Sequence, residues 1–94
     1  MDIQKIKVTN LSSPRSRKEV ENQFVIRTPQ GEYFQSYASI IAFRPYGING
    51  TVLDENYWNF STTTSRYRNE FLGDTTKDCK DKIKSGEYIL RDLN

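Results

Sequence analysis

The sequence contains no histidine, a single cysteine (Cys79) and no long apolar run. Without histidine, neither a Ser–His nor a Cys–His nucleophile pair can form, and no histidine general base exists. Protein zinc sites depend largely on cysteine and histidine, so a chain with one cysteine and no histidine lacks the usual zinc ligands. These absences favour a protein that is not an enzyme and carries no cofactor or metal.

The chain also lacks the features of secretion and membrane insertion. One cysteine cannot form an internal disulfide, which is consistent with a reducing compartment. The N-terminus has no apolar core of signal-peptide length. No apolar stretch approaches the roughly 20 residues of a membrane-spanning helix. We therefore expect a cytoplasmic protein that does not contact membranes.

Apolar residues are scarce, at 35% of 94 residues, but aromatic residues reach 13% and offset this scarcity because each buries a large area. A chain of this length forms one domain with a thin core. Its 14 basic and 12 acidic residues leave a net charge of +2. That balance is too even to indicate nucleic-acid binding by itself, and it argues against an acidic DNA mimic, which would carry a large negative excess.

Apolar periodicity in the first half of the chain predicts strands. We expect a weak edge strand or ordered arm at 3–8 and a loop at 9–19, followed by strands at 20–28, 32–37, 39–44 and 51–54. The Asn49-Gly50 pair is a strong hairpin signal between the last two of these strands.

The pattern of strand 20–28 predicts which of its faces is buried. Val20, Phe24 and Ile26 share one side, which we assign to the core. In "TPQG", Gly31 suits the left-handed position of a three-residue hairpin loop. Such a loop would place Ile26 opposite Phe34. It would also place Arg27 opposite Tyr33, as an outer cation–π pair.

The period then changes to that of helices at 62–73 and 74–86, with a last strand at 87–93. Gly73 and Gly86 suit helix C-caps, and Asp74 or Thr75 suits the second N-cap. Within the first helix Tyr67 and Phe71 share a face, and Arg66 and Glu70 can pair. The order indicates an α+β fold: an antiparallel sheet of about four to five strands, two short helices and a final strand. We divide the chain into an N-terminal arm and basic loop, 1–19, and a single domain, 20–94.

The segment "YWNFSTTTSRYRNEFLG" at 57–73 holds the main candidate site. Hydroxyl residues at a helix start usually act as N-caps, and this is the favoured interpretation. The same free N–H groups could bind an anion, with Thr62, Thr63, Thr64 and Ser65 as the candidate residues. The aromatic cluster Tyr57–Phe60 is assigned to the core, with Tyr57 or Phe60 left partly exposed as the alternative.

Positive charge gathers in two places, which are the candidate contacts with a partner. One is the loop "SPRSRK", with Arg15, Arg17 and Lys18. The other is the helix face with Arg66 and Arg68, where Arg66 should point outward and the direction of Arg68 stays open. The lone Cys79 is best explained as a small core residue.

Three blocks, "NQFVIRTPQGEYFQSYASIIAF", "YWNFSTTTSRYRNEFLG" and "KIKSGEYIL", resemble small proteins of bacteriophages and prophages that have no assigned activity. The resemblance covers about residues 20–94 and includes no catalytic signature. It implies a product of a mobile element, acting in the cytoplasm of a bacterial host cell. By analogy, such proteins often bind and disable host machinery, including defence nucleases such as CRISPR effectors.

The leading hypothesis is therefore a non-enzymatic inhibitor that binds a host protein or a protein–nucleic-acid complex, with an anti-defence, anti-CRISPR-like role favoured. The alternative is an accessory protein that binds nucleic acid directly through phosphate contacts and aromatic stacking. A third possibility is a structural phage component or a homodimer paired through an exposed edge strand at 3–8 or 51–54.

Overall fold

Six strands form one sheet in which the spatial order follows the order along the chain. The structure is a computed structural model that describes residues 5–12, 18–47 and 50–94. The elements are β1 (Lys7–Ser12), β2 (Glu19–Arg27), β3 (Gly31–Ser36), β4 (Ser39–Pro45), β5 (Val52–Asp54), α1 (Thr62–Leu72), α2 (Thr76–Ser85) and β6 (Ile89–Arg91). Neighbouring strands are antiparallel except β5 and β6, which are parallel because both helices lie between them along the chain. This confirms the α+β class.

The N-terminal strand lies later in the chain than the sequence pattern predicted. Lys7–Ser12 is a strand, so the predicted loop at 9–19 is wrong for residues 9–12, while residues 3, 4 and 13–17 lie outside the described residues. The pairing of β1 with β2 shifts register after Asn10, where β2 contains Asn22 with a positive φ of 64°. The Asn10 side-chain amide donates to the carbonyl of Val20. This irregular pairing interrupts the alternation on which the sequence prediction relied.

The β2–β3 hairpin exists, but its register differs by one residue from the prediction. Ile26 pairs with Tyr33 and Arg27 with Glu32, because Thr28 and Gly31 close a two-residue turn through a 2.9 Å backbone hydrogen bond. The Thr28 hydroxyl also accepts from the Gly31 amide. Gly31 is not in the left-handed region. A Cβ at this position would lie 2.4 Å from the Arg44 carbonyl oxygen, so close approach of β4 explains the glycine.

The core lies between the helices and one face of the sheet. It contains Val25, Phe34, Ile41, Ala42, Leu53, Phe71, Cys79 and Tyr88. Phe34 and Phe71 stack with their ring centroids 5.7 Å apart. On β2 the buried residues are therefore Gln23 and Val25, and the assignment of Phe24 and Ile26 to the core face is wrong. Both faces of β2 carry apolar residues, so the sequence pattern alone did not distinguish them.

The helices begin and end close to the predicted residues. Ser61 is the N-cap of α1, and its hydroxyl accepts from the Thr64 amide. Thr75 and Asp78 form a capping box at the start of α2. Gly73 and Gly86 are left-handed C-caps, as predicted. In the described part of the chain, neither helix is long and apolar enough to cross a membrane.

Side-chain placement on α1 matches the prediction in part. Phe71 is buried and Tyr67 packs against the same core, which confirms their shared face. Among the ion pairs of the described residues, none joins Arg66 to Glu70. The Arg66 guanidinium lies instead 5.4 Å from the centroid of the Tyr67 ring.

A buried carboxylate attaches the C-terminal tail to the sheet. Asp54 is fully buried and accepts from the backbone amides of Asn56, Tyr57 and Leu93 and from the Asn94 side chain. The Asn94 amide also pairs with both backbone groups of Ile40, at 2.7 and 2.9 Å. This network also holds the start of the loop that leads to α1.

Candidate binding site

The loop between β5 and α1 presents an aromatic pair at the surface. Tyr57 is 37% exposed, Phe60 is 52% exposed, and their rings meet edge to face at 5.4 Å. Trp58, between them, is partly buried against the core. The prediction of a core cluster therefore holds for Trp58 alone, and the exposed alternative is correct for both Tyr57 and Phe60.

This loop is held at both ends by hydrogen bonds. Asp54 accepts from the Tyr57 amide at 2.9 Å, and its carbonyl accepts from the Trp58 amide at 3.0 Å. At the other end the Ser61 hydroxyl caps α1. Because both ends are anchored, the aromatic pair has a defined position relative to the helix.

An open groove of about 700 Å³ lies beside the aromatic pair. Its walls come from the loop and from both helices: Asn59, Phe60, Ser61, Thr62, Ser65, Arg66, Asn69, Glu70 and Thr76. The lining is mostly polar and uncharged, and Arg66 and Glu70 are its charged members. We call this feature the α1 groove. It can offer hydrogen bonds along its length and aromatic contact at one end.

The four candidate anion-binding residues separate into different environments. Thr62 and Thr63 are exposed, and Thr62 lines the α1 groove. Thr64 is buried and shares a 2.9 Å hydroxyl–hydroxyl hydrogen bond with Ser36 of β3. The Ser65 hydroxyl donates to Asn59 at 2.9 Å. Thr64 thus joins the helix to the sheet, and its side chain is not accessible to a ligand.

Arg68 is fully buried, which corrects its assignment as a surface contact. Its guanidinium donates to the Trp58 carbonyl, to Asn69 at 2.8 Å and to Thr76 at 3.0 Å, and it lies 5.2 Å from the centroid of the Trp58 ring. Among the ion pairs of the described residues, none includes Arg68. Burial lowers the pKa of the Arg68 guanidinium, and the nearby Cys79 and Asp74 oppose this change.

Arg68 therefore holds the wall of the α1 groove in place from its buried side. Three of its hydrogen-bond acceptors, Asn59, Asn69 and Thr76, line the groove and come from the loop, α1 and α2. Arg66 is exposed at the groove, as predicted. The two arginines have different environments: Arg66 is exposed and lines the groove, and Arg68 is buried and hydrogen-bonds to the groove wall.

The basic loop is only partly within the described residues. Lys18 is exposed just before β2, whereas Arg15 and Arg17 lie outside the described residues. The sequence interpretation missed a second basic group, in which Lys7, Arg27 and Arg44 lie on neighbouring strands around Glu32. Arg27 and Arg44 approach Glu32 at 3.8 and 3.4 Å. This group could be predicted from the sequence only with the correct strand register, because the register brings these residues together.

Cys79 is fully buried beside Arg68, which confirms its assignment to the core. Burial raises the pKa of the Cys79 thiol, although Arg68 opposes this, so the thiol stays protonated near neutral pH. Among the described residues, no group of histidine, cysteine, aspartate or glutamate side chains could hold a metal ion.

Residues 6–88 match a protein family that is described as a family of unknown function, DUF8033. The chain belongs to this family. The match spans strands β1 to β5, both helices and every residue that lines the α1 groove, and it ends just before β6. No curated protein and no solved structure matches this DUF8033 chain at a significant level.

Proposed function

We propose that the protein is a non-enzymatic binding domain that contacts a macromolecule of a bacterial host through the α1 groove. In the favoured form of this proposal it is a phage-derived inhibitor of a host factor, with an anti-defence, anti-CRISPR-like action on a protein or a protein–nucleic-acid complex. The observation that carries the binding role is the exposed Tyr57–Phe60 pair at the groove, with Arg66 at the same surface.

Two physical arguments support a binding role for this surface. Aromatic and arginine side chains are enriched at protein interfaces and contribute much of their binding energy. Here two aromatic rings stay at the surface of a chain that has few apolar residues for its core. The anchored loop also lowers the entropy cost of binding, because Tyr57 and Phe60 are positioned before a partner arrives.

The host-directed part of the proposal rests on the resemblance to phage and prophage proteins. It is tested by affinity purification from a bacterial lysate, identification of the partner by mass spectrometry and titration of the purified partner. The test variant combines Phe60→Ala with Arg66→Glu, and the matched control is Lys84→Glu at the far end of α2. We expect the double variant to weaken binding by at least about thirtyfold, the loss typical of a hot-spot residue, and the control to bind normally.

The folded state of each variant should be checked by circular dichroism before titration. A double variant that stays folded and binds the identified partner as tightly as the wild type would exclude the α1 groove as the contact. A partner that belongs to a process other than host defence would exclude the anti-defence role while leaving the groove supported.

Direct binding of nucleic acid is the second candidate function. The exposed Tyr57–Phe60 pair favours it because bases stack on aromatic rings, and Arg66 lies close enough to contact a phosphate. Fluorescence anisotropy with short single-stranded DNA and RNA, at about 50 and 200 mM salt, tests it directly. Salt-dependent binding that is lost in the double variant would support this function, and no binding at either salt concentration would contradict it.

A further inference from the structure

One row of apolar residues crosses all six strands of the sheet on the side opposite the helices. The backbone pairing is continuous from β1 to β6 and aligns Val8, Ile26, Tyr33, Phe43, Val52 and Ile89. A second, shorter row beside it contains Asn10, Phe24, Gln35 and Ile40. We call these two rows the outer sheet face. Its side chains point away from the core because neighbouring positions along a strand alternate between faces.

The row next to it shows how a covered face of this sheet looks. That row runs through Val25, Phe34, Ala42 and Leu53, all of which are buried beneath the helices. In contrast, none of the outer-face residues belongs to the core or packs against it. The covered row and the outer row differ at the centre of the sheet, where the outer residues Ile26, Tyr33, Phe43 and Val52 are only half-buried. Among the elements that the structure describes, both helices lie on the other side.

The two rows of the outer sheet face carry no charge, and Arg91 at the end of β6 is a charged residue beside them on the same side of the sheet. The ten positions of the two rows contain eight apolar side chains and two neutral amides. Antiparallel sheets with one face in water normally alternate apolar and polar residues, and this sheet does not. Tyr33 and Phe43 pack against each other at the centre, with ring centroids 4.5 Å apart. A contiguous apolar surface of this kind is typical of an interface.

We propose that the outer sheet face is the interface of a homodimer, in which two copies of the chain pack sheet against sheet. Neutrality favours a second copy, because identical faces that meet across a two-fold axis bring no like charges together. Apolar composition favours it too, since homodimer interfaces are more apolar than interfaces with transient partners. Two twisted sheets pack well face to face, with the sheets roughly 10 Å apart.

The size of the outer sheet face fits a weak dimer. Each of its ten positions covers two residue rises of roughly 3.4 Å and one strand spacing of roughly 4.8 Å, so the face has a flat area of roughly 330 Å². This is below the roughly 800 Å² per partner of a standard interface, so we expect association that depends on protein concentration. The α1 groove lies in the helical layer on the opposite side, so the dimer would present two grooves. The dimer proposal does not rest on the proposed binding function.

Sedimentation equilibrium over a concentration range of about 1–200 μM tests the proposal. We expect the wild type to approach twice the 11.0 kDa mass of the chain. Tyr33→Lys places a charge at the centre of the row and should give monomers throughout the range. Val8→Lys changes a residue at the exposed edge of the row, where the fold tolerates it, and should weaken dimerisation by at least about tenfold.

The matched control is Tyr46→Lys, which makes the same exchange at a tyrosine that is 49% exposed and outside both rows. It should dimerise like the wild type. A wild type that stays at 11.0 kDa throughout the range would overturn the proposal, including the case in which the face binds a different protein. Folded Val8→Lys and Tyr33→Lys variants that dimerise as tightly as the control would also overturn it, because the interface would then lie elsewhere.

Discussion

At the scale of single residues, the two neighbouring arginines of α1 have opposite roles. Arg68 is buried with several hydrogen-bond acceptors around it, whereas Arg66 is exposed. Thr64, Arg68 and Phe71 are spaced by four and three residues, so they share the inward face of the helix. The sequence shows this spacing. The prediction did not assign Arg68 to the inward face, because arginine is rarely fully buried.

Removal of Arg68 should therefore destabilise the protein far more than removal of Arg66. Arg68→Met keeps much of the side-chain volume but leaves the Trp58 carbonyl and the Asn69 side-chain oxygen without their donor, and the Thr76 hydroxyl with one donor where it had two. We expect a loss of about 3 kcal/mol or more in the free energy of unfolding. Arg66→Met should change it by no more than about 0.5 kcal/mol.

Urea denaturation of both variants checks this prediction. If Arg68→Met and Arg66→Met lowered the free energy of unfolding by the same small amount, the buried guanidinium would not organise the helical layer. Because Arg68 positions the groove wall and does not face a partner, a conservative Arg68→Lys variant should recover only part of the stability. Lysine has no planar fork that could reach acceptors on three segments at once.

Asp54 should make the free energy of unfolding depend on pH in the acidic range. Burial alone raises the pKa of this carboxyl, but hydrogen bonds from the Leu93 amide, the Asn94 side chain and the Asn56 and Tyr57 amides outweigh it and hold the pKa below its usual value. Because the folded pKa is the lower one, the ionised group stabilises the fold fully above the unfolded value of about 3.9. That stabilisation is lost as the pH falls towards the folded pKa.

We therefore expect Asp54→Asn to cost about 2 kcal/mol at pH 7, and the difference from the wild type to shrink below about pH 4. Between about pH 6 and 8 the free energy of unfolding of the wild type should change little, because the chain has no histidine. Urea denaturation at pH 7 and pH 3 tests both statements. A constant difference between wild type and variant at both pH values would contradict the role of the carboxylate charge.

At the scale of elements, the sequence predicted the helices well and the strand faces poorly. The hydroxyl run and the terminal glycines mark helix ends through local chemistry, so the sequence predicted the start of α1 and the C-caps Gly73 and Gly86. Strand faces depend on register, which long-range packing decides. On β2 the larger side chains, Phe24 and Ile26, lie on the outer face, and the smaller Val25 with Gln23 lies inside. The rule that larger apolar residues are buried therefore failed here.

Gly31, where another strand approaches closely, and Gly73, where φ is positive, should respond differently to substitution. At Gly31 a Cβ would meet the backbone of Arg44 and Pro45 at 2.4 and 2.8 Å, so Gly31→Ala should cost about 2 kcal/mol or more. At Gly73 a Cβ has open space but φ is 73°, so Gly73→Ala should cost about 1 kcal/mol.

Asparagine separates these two causes, since it tolerates positive φ but is larger than alanine. Gly73→Asn should be more stable than Gly73→Ala, whereas Gly31→Asn should be no better than Gly31→Ala. Thermal denaturation of the four variants gives the comparison. A rescue by asparagine at position 31 would show that conformation, and not close approach of β4, explains that glycine.

At the scale of the whole molecule, the sheet has one apolar face beneath the helices and a second apolar face that no described element covers. Single exposed apolar residues are common on protein surfaces, but a contiguous apolar row across all six strands is not. Phe24 and Ile26, which were wrongly assigned to the core, belong to the outer sheet face. Their exposure is therefore best explained by an assembly in which this face is buried.

Small-angle X-ray scattering of the wild type at high concentration tests this account most directly, because it reports mass and shape together. The radius of gyration of one chain is 12.8 Å. Two copies packed sheet against sheet, with centres roughly 20 Å apart, should give a radius of gyration of about 16 Å at twice the monomer mass. A value near that of one chain, or one above about 20 Å from two copies joined edge to edge, would contradict it.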